Sequence, residues 1–318
     1  MDEDDVRTRP GRSSRPRTRT RPAHADAAAG LVIAVDRGRY TLRVNEVTVT
    51  AMRARELGRK SVVVGDRVGV VGDVSGGPDA LARIVRIEER SSVLRRTADD
   101  DDPYERVVVA NADQLVIVTA LADPPPRTGF INRCLVAAYD ADIEPLLCLT
   151  KADLAAPDEI IETYADLELP VVTCRHDEPP DALAARLTGR LSVLIGHSGV
   201  GKSTLVNVLV PGTDRATGVV SGIGKGRHTS TSAVALALPA GGWVIDTPGI
   251  RSFGLAHVSP GSLLASFSDL EPGADNCPPG CAHLSAADGC ALDAYVAAGH
   301  AQPRRLESYR RLLESRAD

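Results

Sequence analysis

The stretch GHSGVGKST, Gly196–Thr204, decides how the chain reads. It follows the apolar run LSVLI (Leu191–Ile195) and precedes the helix-compatible run TLVNVLV. Strand, glycine loop and helix in that order are the setting of a phosphate-binding P-loop. Glycines let the backbone curl so that its N–H groups point inward at phosphate oxygens. Lys202 can reach the β- and γ-phosphates, Ser203 can hold Mg²⁺, and the helix behind adds its positive N-terminal end. The expected nucleotide contacts run through the whole loop: Gly196, His197, Ser198, Gly199, Val200, Gly201, Lys202, Ser203 and Thr204. The competing reading is a glycine-rich turn with a solvated lysine; the strand and helix on either side favour phosphate. The loop lies past the middle of the chain, an unusual place for it.

The 318 residues suffice for two or three domains with a sizeable core. Hydrophobic content of 43% and charged content of 25% are ordinary for a globular protein, but aromatics are only 3%, so aliphatic residues must do most of the packing. The net charge of −5 does not suggest nucleic acid, yet residues 6–22 carry arginines and no acids while Asp99–Asp102 is an acidic run. No apolar stretch is long enough to span a bilayer, and the N-terminus lacks a signal-peptide core. A cytoplasmic protein, with no membrane partner, is expected. Cys134, Cys148 and Cys174 stand apart in apolar segments and read as small buried hydrophobes. Cys277, Cys281 and Cys290 cluster, which in a reducing compartment points to metal rather than disulfide.

Taken in order, residues 1–28 read as a disordered basic tail, either an RNA-seeking arm or a solvated one. Residues 29–92 hold short β-rich runs and are expected to form an OB-fold-like barrel. Its only aromatic is Tyr40, so RNA contact there would fall to Arg37, Arg39, Arg43, Arg53, Arg55, Arg59 and Lys60 rather than to base stacking. Residues 93–106 read as a linker. From 107 the period changes: strand-like and helix-like runs alternate, which predicts an α/β domain with a mostly parallel sheet over residues 107–258. Residues 259–318 read as a helical, zinc-binding domain whose last helix, PRRLESYRRLLESR, has arginines that either form a basic face or are merely solvated.

Three further motifs carry chemistry. Asp246-Thr247-Pro248-Gly249 ends an apolar strand as a Walker-B-type DxxG does; Asp246 can hold Mg²⁺ through water and the Gly249 N–H can sense a γ-phosphate. Thr150-Lys151-Ala152-Asp153 follows the apolar strand PLLCL and is similar to the TKxD box of GTPases. The Asp153 carboxylate can accept from guanine N1 and N2, which adenine cannot satisfy, and Lys151 can lay its stem along the base. The same four residues also make a plausible helix start. Val172-Thr173-Cys174 sits where a GTPase has its second base-contacting loop, a poor match. Cys277-x3-Cys281-x-His283-x6-Cys290 offers three thiolates and an imidazole, a set that suits one structural Zn²⁺. Bound metal would contribute about 10–16 kcal/mol towards folding a segment with little core.

Most GTPases run P-loop, switch threonine, DxxG, base box. Here TKAD and VTC precede GHSGVGKST, and GRHTSTS (Gly226–Ser232) and DTPG follow. A permuted GTPase with a barrel before it and a Cys/His knot after it resembles the RsgA (also called YjeQ) family of small-ribosomal-subunit biogenesis GTPases. The resemblance rests on TKAD, GHSGVGKST, GRHTSTS, DTPGIRSFG and CPPGCAHLSAADGC, and covers about residues 30–318. The family usually has four residues between its first two cysteines, where this chain has three. The resemblance implies a GTP hydrolase that binds the small subunit and its rRNA in late maturation, turns over faster on it and is released by hydrolysis; GTP and GDP are the expected ligands and a monomer the expected state. It also implies His228 as the residue that positions the attacking water, since Ile250 occupies the place of the usual glutamine. Thr229 is the expected switch threonine on Mg²⁺, with Thr231 competing. A non-enzymatic, GTP-switched RNA-binding module is the alternative; an ATP-dependent small-molecule kinase conflicts with Asp153.

Overall fold

The computed structural model describes residues 24–58, 61–96, 106–212, 233–247, 255 and 258–315. The barrel comes first: β1 (Ala28–Asp36), β2 (Arg39–Val44), β3 (Val47–Arg53), β4 (Arg67–Gly72) and β5 (Ala82–Ile87). The strands run β1-β2-β3-β5-β4 and close where β1 pairs again with β4; β3 and β5 are parallel and the other pairs antiparallel. This is the five-stranded barrel that the clustered short runs predict. Closure removes the exposed strand edges. Small aliphatics fill the interior, with Val32, Leu42, Val49 and Ile84 fully buried. Tyr40 is buried among them, so its ring offers no stacking face.

The stretch expected to be a linker begins with a strand. β6 (Val93–Arg96) pairs antiparallel with β7 (Arg106–Ala110), with Val93 opposite Ala110 and Arg96 opposite Arg106. The polar composition of 97–105 concealed the apolar Val-Leu that opens it.

The central domain follows as β8 (Gln114–Ala120), α1 (Thr128–Asp140), β9 (Glu144–Thr150), α2 (Asp158–Thr163), β10 (Val171–Thr173), α3 (Asp181–Leu187), β11 (Leu191–Ile195), α4 (Lys202–Leu209), β12 (Val234–Ala237) and β13 (Trp243–Asp246). The order across the sheet is β10-β9-β8-β11-β13-β12, all parallel except β12. Period two sorts its side chains. Leu115 and Ile117 face one layer with α1, whereas Val116 and Val118 face the other with α3 and α4. One backbone pairing, Ala34 opposite Val234, joins barrel and domain into a single eleven-stranded sheet.

The barrel is also tied on by polar groups. Asn111 is buried; its amide donates to Gly65 O at 2.9 Å and its Oδ1 accepts from Ser91 N at 2.9 Å. The Ala110 carbonyl lies so near Gly65 that a Cβ there would fall 2.0 Å from it. Only glycine, at φ +89°, fits. Fully buried Asp66 is neutralised by Arg90, at 2.7 and 2.9 Å, and accepts from Val63 N at 2.8 Å.

After the sheet come α5 (Pro260–Leu264), α6 (Glu271–Ala274), α7 (Ala291–Ala297) and α8 (Pro303–Glu314). This segment was expected to have little core. Instead Leu263, Phe267, Leu292, Tyr309 and Leu312 are buried in the same cluster as α1. Three arginines of α8, Arg305, Arg310 and Arg311, are fasteners rather than a free basic face, while Arg304 is exposed. Arg305 pairs with Asp269, donates to Asp166 O and lies 4.8 Å from the Phe267 ring centre. Arg310 holds Asp293 and the His283 carbonyl. Arg311 donates to Thr163 O at 3.1 Å and lies over the Tyr164 ring. Among the described residues no helix is long and apolar enough to cross a membrane.

The Arg305 guanidinium, through its hydrogen bonds, holds the Asp269 carboxyl below the usual carboxylate range. A lowered folded-state pKa stabilises above the unfolded value and the benefit is lost as pH falls through the folded one. The stability advantage of the wild type over Asp269→Asn should therefore be constant from neutrality down to about pH 4 and decline progressively as pH falls further, as read by thermal unfolding at each pH.

Candidate nucleotide and metal sites

The P-loop lies where β11 ends and α4 begins, at the carboxyl edge of the parallel strands, where such sheets bind ligands. Gly196 leaves the strand so close to β8 that an added Cβ would meet Val118 O at 2.4 Å and Val200 Cγ2 at 3.0 Å. Gly199 and Gly201 take φ of +83° and +90°, turning the backbone towards the helix. Ser203 and Thr204 are exposed in the first turn of α4, and Val200 is buried beneath. His197 packs its ring on Phe130 of α1, centroids 4.1 Å apart.

Lys202 faces β13. Its Nζ is 2.9 Å from Asp246 Oδ1, a charge contact rather than an aligned hydrogen bond, and donates to Thr247 O at 3.3 Å. Thr247 in turn donates its hydroxyl to Leu194 O at 2.9 Å, fixing the strand end beside the loop. The structure thus brings together the P-loop lysine and the DxxG aspartate, 44 positions apart in sequence by their numbers. Asp246 is nearly buried at 4% exposure.

The base box lies next door. Thr150, the last residue of β9, donates its hydroxyl to Val200 O at 2.6 Å and so acts as a latch between the two loops. Lys151 adopts φ +57° and donates Nζ to the Asp123 carbonyl. Ala152 N donates to Cys174 O at 3.2 Å, and Asp153 Oδ1 accepts from His176 N at 3.2 Å. The exposed Asp153 carboxyl is held below its ordinary range by its own N–H and then by that of His176. Val172-Thr173-Cys174 therefore does flank the base box.

Sequence reasoning missed the Asp123-Pro124-Pro125-Pro126 segment between β8 and α1. It supplies the carbonyl that holds Lys151, and Pro124 stands 3.6 Å from where a Gly199 Cβ would be. A polyproline run directly after a buried strand was the available signal. His228, Thr229, Thr231, Gly249 and Ile250 lie outside the described residues.

At the other end of the molecule the donor atoms of Cys277, Cys281, His283 and Cys290 lie within 4.8 Å of one another. His283 Nδ1 is 3.5 Å from Cys277 Sγ and 3.7 Å from Cys290 Sγ. Tetrahedral zinc bonds of about 2.3 Å to sulfur and 2.1 Å to nitrogen would place those atoms about 3.6 Å apart. Burial pushes the Cys290 thiol up to about 11, so a thiolate there needs a cation beside it. His283 N and Ala291 N donate to Cys281 Sγ and Cys277 Sγ, at 3.4 and 3.3 Å. The cluster can hold a metal ion despite the three-residue spacing, because His283 takes φ +60° to turn inward.

A sheet wound in this order, with the phosphate loop after the base box, is the architecture of a circularly permuted GTPase. The family model described as RsgA GTPase matches residues 87–256. A protein of Chlorobaculum parvum named small ribosomal subunit biogenesis GTPase RsgA is 38% identical over 279 residues, covering 84% of this chain and 89% of that one. A protein of the same name from Pseudomonas aeruginosa is 42% identical over 242 residues, 73% and 70% of the two chains. The crystal structure of YjeQ from Thermotoga maritima superposes with a TM-score of 0.65 at 25% identity, covering 91% of this chain and 98% of that one. The chain belongs to the RsgA GTPase family, and its activity is GTP hydrolysis.

The Lys202–Asp246 contact makes the lysine structural as well. Removing it takes one charge contact from a nearly buried carboxylate, so Lys202→Ala should lower the stability of the nucleotide-free protein by about 1–3 kcal/mol. Adding Asp246→Asn should recover most of that loss, as measured by urea unfolding.

Proposed function

We propose that this chain is a GTPase of small-ribosomal-subunit maturation, binding the subunit and its rRNA, hydrolysing GTP there and leaving with GDP. The observation that carries the reading is the junction of base box and P-loop through Thr150 and Val200, in a chain whose relatives bear that name. Within it, the N–H groups of Gly196–Thr204 cradle the phosphates and Lys202 turns from Asp246 to the β- and γ-oxygens. Asp153 reads the guanine edge, with Thr150, Lys151 and Ala152 holding it in place. Ser203, Asp246 and Thr229 would hold Mg²⁺, which supplies charge neutralisation on the phosphates. Gly249 senses the γ-phosphate, and His228 orients the water that attacks it, a part Ile250 cannot play.

The barrel offers rRNA a backbone-reading surface. Arg37, Arg39 and Arg55 are exposed, whereas Arg43 is engaged by Glu46 at 2.8 Å and Arg53 by the Leu57 carbonyl. With Tyr40 buried, contacts to phosphate dominate, and affinity should fall steeply with salt. The Cys277, Cys281, His283 and Cys290 cluster takes one structural zinc. The protein works as a cytoplasmic monomer.

The test is turnover of GTP with and without purified small subunits. Stimulation by the small subunit, absent with the large subunit, is the expected result; turnover indifferent to both would refute a ribosomal role while leaving the GTPase intact.

A further inference from the structure

Two thiols lie beneath the base box. Cys148 sits on β9, two residues before Thr150, and Cys174 follows β10, whose carbonyl accepts from Ala152 N. Their sulfurs are 3.7 Å apart on the same face of the sheet, inside the apolar cluster with Leu183 and Leu187 of α3. Backbone pairing brings the two strands into register, with Cys148 opposite Val172 and Cys174 N donating to Leu149 O at 2.8 Å. No other described pair of cysteines outside the metal cluster shares such a contact. We propose that Cys148 and Cys174 are a peroxide-responsive thiol pair, forming a reversible disulfide that closes a loop around Thr150-Lys151-Ala152-Asp153 and loosens the hold on the nucleotide base.

The two thiols are not equivalent. Hydrogen bonding from the Cys148 thiol favours the Cys174 thiolate and pulls its pKa down, while the same contact and full burial push Cys148 up. Cys174 also lies just past the end of β10 and keeps 5% exposure where Cys148 is fully buried, so peroxide reaches it first: Cys174 is the attacking sulfur and Cys148 the resolving one. The Cys174 thiolate attacks one peroxide oxygen, the O–O bond breaks, and the other oxygen leaves as water or alcohol after taking a proton. The resulting sulfenic acid is attacked by the Cys148 sulfur; the S–S bond forms, the S–O bond breaks, and hydroxide leaves as water with the thiol proton. Two thiols and one peroxide thus give one disulfide. A cellular thiol reverses the step by exchange.

The consequence for the site follows from distance. The sulfurs must close from 3.7 Å to about 2 Å. Because the strands are already hydrogen-bonded there, that closure must turn the two side chains and shift the Cys174 backbone, which disturbs the two bonds that hold the base box, Ala152 N to Cys174 O and His176 N to Asp153 Oδ1. This consequence rests on the guanine-site reading above; the disulfide itself does not.

The experiment treats the full-length, zinc-loaded protein with hydrogen peroxide, blocks remaining thiols, and maps linked peptides while GTP affinity is measured on the same samples. The expected result is a Cys148–Cys174 cross-link about 2 Da lighter than the two free peptides, removed by dithiothreitol. GTP affinity should fall about tenfold with the link and return with reduction. Cys148→Ala, or Cys148→Ser as a second variant, should bind GTP as the wild type does before treatment and lose the reversible response. Oxidation confined to the metal cluster, or an equal loss of affinity in both Cys148 variants, would overturn the proposal. Untreated wild type that fails to bind GTP would sink the nucleotide reading alone, because peptide mapping reads the thiols directly.

Discussion

A buried hydrogen bond 2.6 Å long, from the Thr150 hydroxyl to the Val200 carbonyl, holds the nucleotide site together. Permutation puts base box and phosphate loop on strands that follow in reversed chain order, so no short connection sets their distance. Three adjacent strands, β9, β8 and β11, do so instead. β8, buried along its whole length, separates β9 from β11, and Gly196 lets the loop settle against Val118 of β8. A Cβ at 196 would break that approach, and a side chain without a hydroxyl at 150 would leave the Val200 carbonyl without this donor. The spacing between the base box and the phosphate loop is thus a property of the sheet core, which does not stretch.

The same logic extends outward. The barrel is fixed by the Gly65–Asn111 junction and by one backbone pairing with β12. The C-terminal helices share the α1 core, and Arg305 and Arg311 anchor α8 to the carbonyls of Asp166 and Thr163. Asp246 ends β13 between these two attachments.

Much of this was legible in sequence because each motif carries its own local physics. GHSGVGKST between an apolar strand and a helix run has one reasonable structure. TKAD became specific only by its position before that loop. The cysteine spacing named a tetrahedral donor set, and the structure turns His283 inward to complete it. What stayed hidden is what side chains do at long range. The arginines of α8 looked solvent-facing by pattern, since their partners are backbone carbonyls and carboxylates more than a hundred positions away or on other helices. The little-core reading of the last segment failed for the same reason: its apolar residues are few, but Leu263, Phe267, Leu292, Tyr309 and Leu312 join the cluster that contains α1. Cys148 and Cys174 read as separate hydrophobes because strand register, unlike motif order, cannot be seen in one sequence.

The central claim is that two loops in permuted order make one guanine site. Competition against a fluorescent GTP analogue, with GTP, GDP and ATP in turn, tests it most directly. GTP and GDP should displace the probe while ATP is weaker by about 10⁴-fold, because adenine leaves the Asp153 carboxylate unsatisfied. ATP displacing the probe as readily as GTP would contradict the assignment of Asp153 and with it the base box.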